Sequence, residues 1–226
     1  MMMNMFEQFS SPELMSMPTI LLSMTIPALL INTKSRLIGN RMTTAIVWLL
    51  KNIMINMTNQ LSNTGQKWCK MLTTLLIFIL TLNLTGLLPY TFTPTSQLSM
   101  NMAMAIPLWL ATVITGMMNK PSTSLAHMLP EGSPAPLTPF MIMIETISLL
   151  MRPMALGVRL TANITAGHLL MTMISTATLN FIYTNTILSI VTASLLILLS
   201  ILELAVACIQ SYVFVLLVTL YLQENT

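Results

Sequence analysis

The chain has 226 residues, 55% of them hydrophobic and only 7% charged, with a mean hydropathy of +0.81. A soluble domain is about 25% charged, so this balance excludes a water-exposed globular enzyme and points to an integral membrane protein. The net charge of +3 carries no nucleic-acid signal, because all nine basic residues flank or interrupt apolar segments.

Glu7 and Glu13 precede the first basic residue, Lys34, which is the reverse of a secretory signal. The first apolar segment, 14–31, is long enough to span a bilayer, and Pro18 and Pro27 predict bends in it. Lys34, Arg36, Arg41, Lys51, Lys67 and Lys70 follow with no acidic residue among them. Within 41–57 the apolar positions Met42, Ala45, Ile46, Leu49, Ile53 and Met57 recur at helical spacing, interrupted by Arg41, Lys51, Asn52 and Asn56. That stretch is too short and basic to span, and an interfacial amphipathic helix fits it better than a soluble loop helix.

A second spanning segment, 71–88, stops at Pro89, and the uncharged turn YTFTPTSQ leads to a third, 98–118, with Pro107 as a kink. The following loop is dense in Pro and Ser and holds Lys120, His127 and Glu131; His127 reads as an exposed loop histidine. The fourth segment, 137–179, and the fifth, 187–222, are separated by the uncharged turn YTNT. As a single helix the fifth measures roughly 54 Å, against a hydrocarbon core of about 30 Å. Both are therefore expected as steeply tilted helices forming an antiparallel hairpin, with Pro153 and Gly157 bending the first. The expected fold is an all-α, single membrane domain over 1–226, with five crossings and one interfacial helix. Basic residues collect at 34–70 and Lys120, so the positive-inside rule puts the N-terminus outside and the C-terminus inside.

Polar residues interrupt the last two segments. Arg costs about 2.5–3.5 kcal/mol at a bilayer centre on insertion scales, and a guanidinium cannot shed its charge. Glu145, Arg152 and Arg159 are seven apart and form one slowly drifting helical stripe, which Asn163 continues. His168 points to roughly the opposite side. In the fifth segment Glu203 and Gln210 share a stripe. A hairpin turning near Thr184 puts Arg159 level with Gln210 and His168 level with Glu203. Buried titratable pairs of this kind mark proton relays. Arg152, nearer the inside face, either snorkels or pairs with Glu145. Cys69 and Cys208 fit no metal-binding spacing, and no cofactor is expected.

The runs MRPMALGVRLTANITAGHLL, LELAVACIQSYVFVLL and LTGLLPYTFTPTSQLSMNMAMAIPLW resemble subunit a of the F-type (F0 sector) ATP synthases, in its mitochondrial form. The resemblance covers nearly all of the chain from about Trp68 onward. It implies a non-catalytic stator subunit that conducts protons through two offset half-channels to and from the c-ring of the rotor. Arg159 matches the stator arginine that faces the ring, and Asn163 and Gln210 match its polar neighbours. His168 and Glu203 match the pair lining the half-channel from the intermembrane space, and Glu145 matches the acid on the matrix side. Arg152 matches no position with a family role. The resemblance further implies the mitochondrial inner membrane, with the N-terminus in the intermembrane space and the C-terminus in the matrix. The partners it implies are the c-ring, other stator membrane subunits and lipid.

A proton-coupled secondary transporter is the competing class, since it too buries Arg, Glu and His. Such transporters typically carry internal repeats, which this sequence lacks by inspection. No phosphate loop or nucleophile arrangement is present, so ATP chemistry is not expected on this chain.

Overall fold

The computed structural model of the chain describes residues 9–10, 12–14, 17–30, 41–58, 65–88, 91–119, 121–126 and 137–225. Lys34, Arg36, Lys120, His127 and Glu131 lie outside these residues, as do parts of the expected first segment at 15–16 and 31. Apart from a two-residue antiparallel pairing of Glu13–Leu14 (β1) with Met17–Pro18 (β2), the described elements are helical. In order they are α1 (Thr19–Leu30), α2 (Arg41–Thr58), α3 (Cys69–Gly86), α4 (Leu98–Asn119), α5 (Pro121–Ala126), α6 (Thr138–Thr184) and α7 (Thr186–Asn225).

Four described helical stretches are long and apolar enough to cross a membrane: Gly65–Gly86, Leu98–Asn119, Thr138–Thr184 and Thr186–Glu224. The described part of the first segment, α1, has 12 residues, about 18 Å of helix, so by itself it is shorter than a hydrocarbon core of about 30 Å.

Three boundaries differ from the sequence expectation for identifiable reasons. YTNT was expected to separate the last two helices, but only Asn185 is non-helical. The stretch before it contains no Gly or Pro to break the helix. The Asn185 N–H donates to Phe181 O at 2.9 Å, closing α6, and Ser189 N–H donates to Asn185 O at 3.1 Å, opening α7. At its other end α7 runs past the apolar stretch that stops at Leu222, because Gln223 and Glu224 are good helix formers. Finally, the Pro- and Ser-rich loop contains α5, which begins on Pro121, a residue suited to a first helical position.

The chain packs as two compact units. One comprises Met1–Asn32, Phe78–Met100 and Arg159–Tyr212. Its buried side chains include Ile79, Leu82, Leu160 and Ala207, together with the polar Asn83, Thr95 and Gln210. The other comprises Thr33–Ile77, Asn101–Val158 and Val213–Thr226. There the buried positions Asn101, Ala105, Leu108, Thr112 and Gly116 recur along α4 at helical spacing, as do Phe214, Val215, Val218 and Leu222 on α7. That periodicity is what one packed face of a helix requires.

Much of α6 and α7 is not covered by the chain itself. Ile144, Leu150, Leu170, Ile190, Ile197, Leu198, Ile201 and Leu204 are all exposed. In water such a surface would cost about 25 cal/mol per Å²; against lipid or an apolar partner it costs little. The hydroxyls in these helices are satisfied locally: Thr165 donates to Thr161 O at 2.8 Å and Ser200 to Ile197 O at 2.7 Å. Back-bonding of this kind lets Ser and Thr sit in an apolar helix without an unpaired donor.

Candidate functional site: the polar residues of the last two helices

Along α6, the side chains of Arg159, Ala162, Asn163, Ala166, Leu170 and Met173 are exposed. At about 100° per residue they fall within about 60° of the Arg159 direction. The arginine therefore stands on a face of small and apolar side chains. Its guanidinium makes no ion pair and no hydrogen bond with any described residue.

One turn on, Asn163 Nδ2 donates to Gln210 Oε1 of α7 at 3.0 Å, and Gln210 is buried. The hairpin is expected to put Gln210 level with Arg159; the side chain it bonds is Asn163, one turn further along α6.

The second pair meets as expected from the hairpin. His168 Nδ1 lies 3.9 Å from Glu203 Oε1, with the two side chains 25% and 13% exposed. That separation suits an ion pair and is longer than a hydrogen bond. Glu203 Oε1 is sealed from solvent and has no hydrogen-bond partner among the described residues. A Cβ added at Gly167 would lie 2.8 Å from that same oxygen, so only a residue without a side chain lets the carboxylate reach this place. On α7, Glu203, Ala207 and Gln210 share one face. Between the two polar residues Asn83 of α3 approaches, its Nδ2 donating to Ala207 O across a long 3.5 Å.

In the other unit, Glu145 and Arg152, two turns apart on α6, face each other at 3.8 Å. The nearer partner of Arg152 is Glu224, with Nη1 2.5 Å from Oε2. Its guanidinium also lies over the Tyr221 ring, 5.2 Å from the centroid.

Four contributors escaped the sequence reading. Glu224 and Tyr221 fell at or beyond the end of the expected fifth segment, although their spacing of three puts them on one helical face. Asn83 was a single amide in an apolar run, and its lack of any i±4 polar neighbour on α3 that could pair with it was the available signal. Gly167 had one too: a glycine inside a helix costs about 1 kcal/mol relative to Ala, so one beside a polar residue points to close approach. Among the described residues no group of three His, Cys, Asp or Glu side chains could hold a metal ion.

The family described as ATP synthase A chain matches residues 14–223. The chain is 75% identical over its full length, and that of the relative, to ATP synthase F(0) complex subunit a of Lycodon semicarinatus. It is 58% identical to the protein of that name from Struthio camelus and 52% to that from Scyliorhinus canicula, each again over the whole of both chains. The chain is therefore a member of the ATP synthase A chain family.

Proposed function

We propose that the chain is the non-catalytic stator subunit that conducts protons through two offset half-channels to and from the c-ring, so that proton flow turns the rotor and drives ATP synthesis. The observation that carries this reading is Arg159, a cation exposed on an apolar face of α6 and unpaired among the described residues. Such a cation needs a carboxylate from elsewhere, and a ring of acids passing that face supplies one.

Each ring carboxylate must be neutral to travel through lipid. At about 4 Å from Arg159 an ionised one gains roughly 4 kcal/mol at an effective dielectric of 20. It therefore gives up its proton on approaching Arg159 and regains one only after passing. Arg159 also seals the path, because a proton wire cannot run through a fixed positive charge. Lysine would serve less well, since it loses its proton readily when buried. His168 and Glu203 line the half-channel from the intermembrane space, where an imidazole facing a carboxylate at 3.9 Å can hand protons inward. Glu145 serves the matrix side, and Asn163 and Gln210 hold the hairpin register beside Arg159. Each proton descending 100 mV releases about 2.3 kcal/mol.

The same reading places the chain in the mitochondrial inner membrane as a single domain, with other stator subunits and lipid as its neighbours. A fifth crossing near 14–31 puts the N-terminus in the intermembrane space and the C-terminus in the matrix, with 41–57 lying in the interface. The long α6 and α7, about 70 and 60 Å by helical rise, then cross at a steep tilt. The test is Arg159→Ala in the assembled complex. ATP-driven proton pumping should disappear, and normal coupled synthesis in that variant would refute the role.

A further inference from the structure

Arg152 has no task in either half-channel, yet three side chains converge on it. Its Nη1 is 2.5 Å from Glu224 Oε2, its Nη2 is 3.8 Å from Glu145 Oε1, and its Cζ lies 5.2 Å from the centre of the Tyr221 ring. Tyr221 and Glu224 are three apart on α7, so one helical face supplies both the ring and the nearer acid. Glu145 and Arg152 are seven apart on α6 and share a stripe. The planar fork of an arginine can offer two edges to two carboxylates and a face to an aromatic ring at once, which a lysine cannot.

The two carboxylates are held unequally. Glu224 takes a short, charge-assisted contact, whereas Glu145 sits 3.8 Å away, beyond hydrogen-bond range. We propose that Glu224 is a positioning residue: by anchoring Arg152 on α7, it keeps the guanidinium from closing on Glu145. Glu145 thereby stays beside a positive charge without being locked into a tight pair, and remains free to take up and release a proton. In each cycle one O–H bond forms on the Glu145 carboxylate and later breaks, while Arg152 keeps all its protons. The inference rests on the reading of Glu145 as the matrix-side acid.

If Glu224 only fastened the end of α7, removing the arginine as well would do no good. If it restrains Arg152, removing the arginine should relieve the loss of Glu224. The experiment measures proton flux through the whole ATP synthase in sealed vesicles carrying Glu224→Gln, Arg152→Gln, both together, or Glu145→Gln. Glu224→Gln should slow flux about fivefold, the upper end of the scale for a part-exposed ion pair. The double variant should return to within about twofold of the unaltered complex, because the freed guanidinium is gone. Glu224→Asp, which keeps the charge on a shorter arm, should fall between and gives the same comparison where the Gln variant fails to assemble. A double variant no faster than Glu224→Gln, or Glu224→Gln and Glu224→Asp with full flux, would overturn the anchoring role. Full flux in Glu145→Gln would instead overturn the matrix-side reading on which it rests.

Discussion

Replacing Gly167 with alanine separates the proton path from the stability of the fold. The new methyl carbon would stand 2.8 Å from Glu203 Oε1 and 3.2 Å from its Cδ, where ordinary contact begins at 3.4 Å. The carboxylate must therefore retreat by about 0.6 Å, and its oxygen is already sealed from solvent, with His168 at 3.9 Å. Overpacking of this kind costs about 1–3 kcal/mol, while exchanging Gly for Ala inside a helix returns about 1 kcal/mol. Thermal stability of the complex should thus change by no more than about 2 kcal/mol. Proton flux should fall further: a misplacement of 1 Å at a reacting group costs about a hundredfold, so 0.6 Å corresponds to about tenfold. The control is Gly157→Ala, whose methyl meets Met102 Sδ at 2.5 Å, in a flexible side chain that carries no proton. It should leave flux unchanged. Both would be read as proton flux into vesicles beside a melting curve of the same preparation. Full flux in Gly167→Ala would show that proton transfer does not depend on where the Glu203 carboxylate sits.

Exchanging the pair, His168→Glu with Glu203→His, should retain more proton flux than either single substitution, since both groups stay at one depth; equal damage from all three would argue against a shared channel. Gln210→Leu removes the acceptor of the part-buried Asn163–Gln210 hydrogen bond, at a cost of about 0.5–1.5 kcal/mol in the melting of the complex. Adding Asn163→Leu should recover part of that loss, and a double variant as unstable as the sum of the singles would deny the coupling.

The long helices were legible because uninterrupted apolar runs leave a bilayer-spanning chain no other way to satisfy its backbone. Their ends were not, because hydropathy stops where the apolar residues stop, whereas a helix stops only where something breaks it. Gln223 and Glu224 are polar and still helical, and that is why the Glu224–Arg152 contact, 72 residues apart in the chain, could not be read. The meeting of His168 and Glu203 was readable because a single hairpin fixes the depth of every residue on both arms. The Asn163–Gln210 hydrogen bond is not readable in the same way, since equal depth does not say which of two side chains a turn apart an amide bonds. That Ala162 and Ala166 share the face of Arg159 follows from their spacing of three and seven, but that this face is left exposed emerges only from the packing of the opposite side of α6.

What lies against the Arg159 face decides whether this cation meets the rotor. A cysteine at Ala162, exposed one turn from the arginine, can be paired with one beside the carboxylate of a rotor helix, with Leu110→Cys on α4 as the comparison. Oxidative crosslinking in the assembled complex should join Ala162→Cys to the ring efficiently and Leu110→Cys hardly at all. Equal yields from the two positions, or no crosslink from Ala162→Cys, would contradict the placement of the cation against the rotor acids.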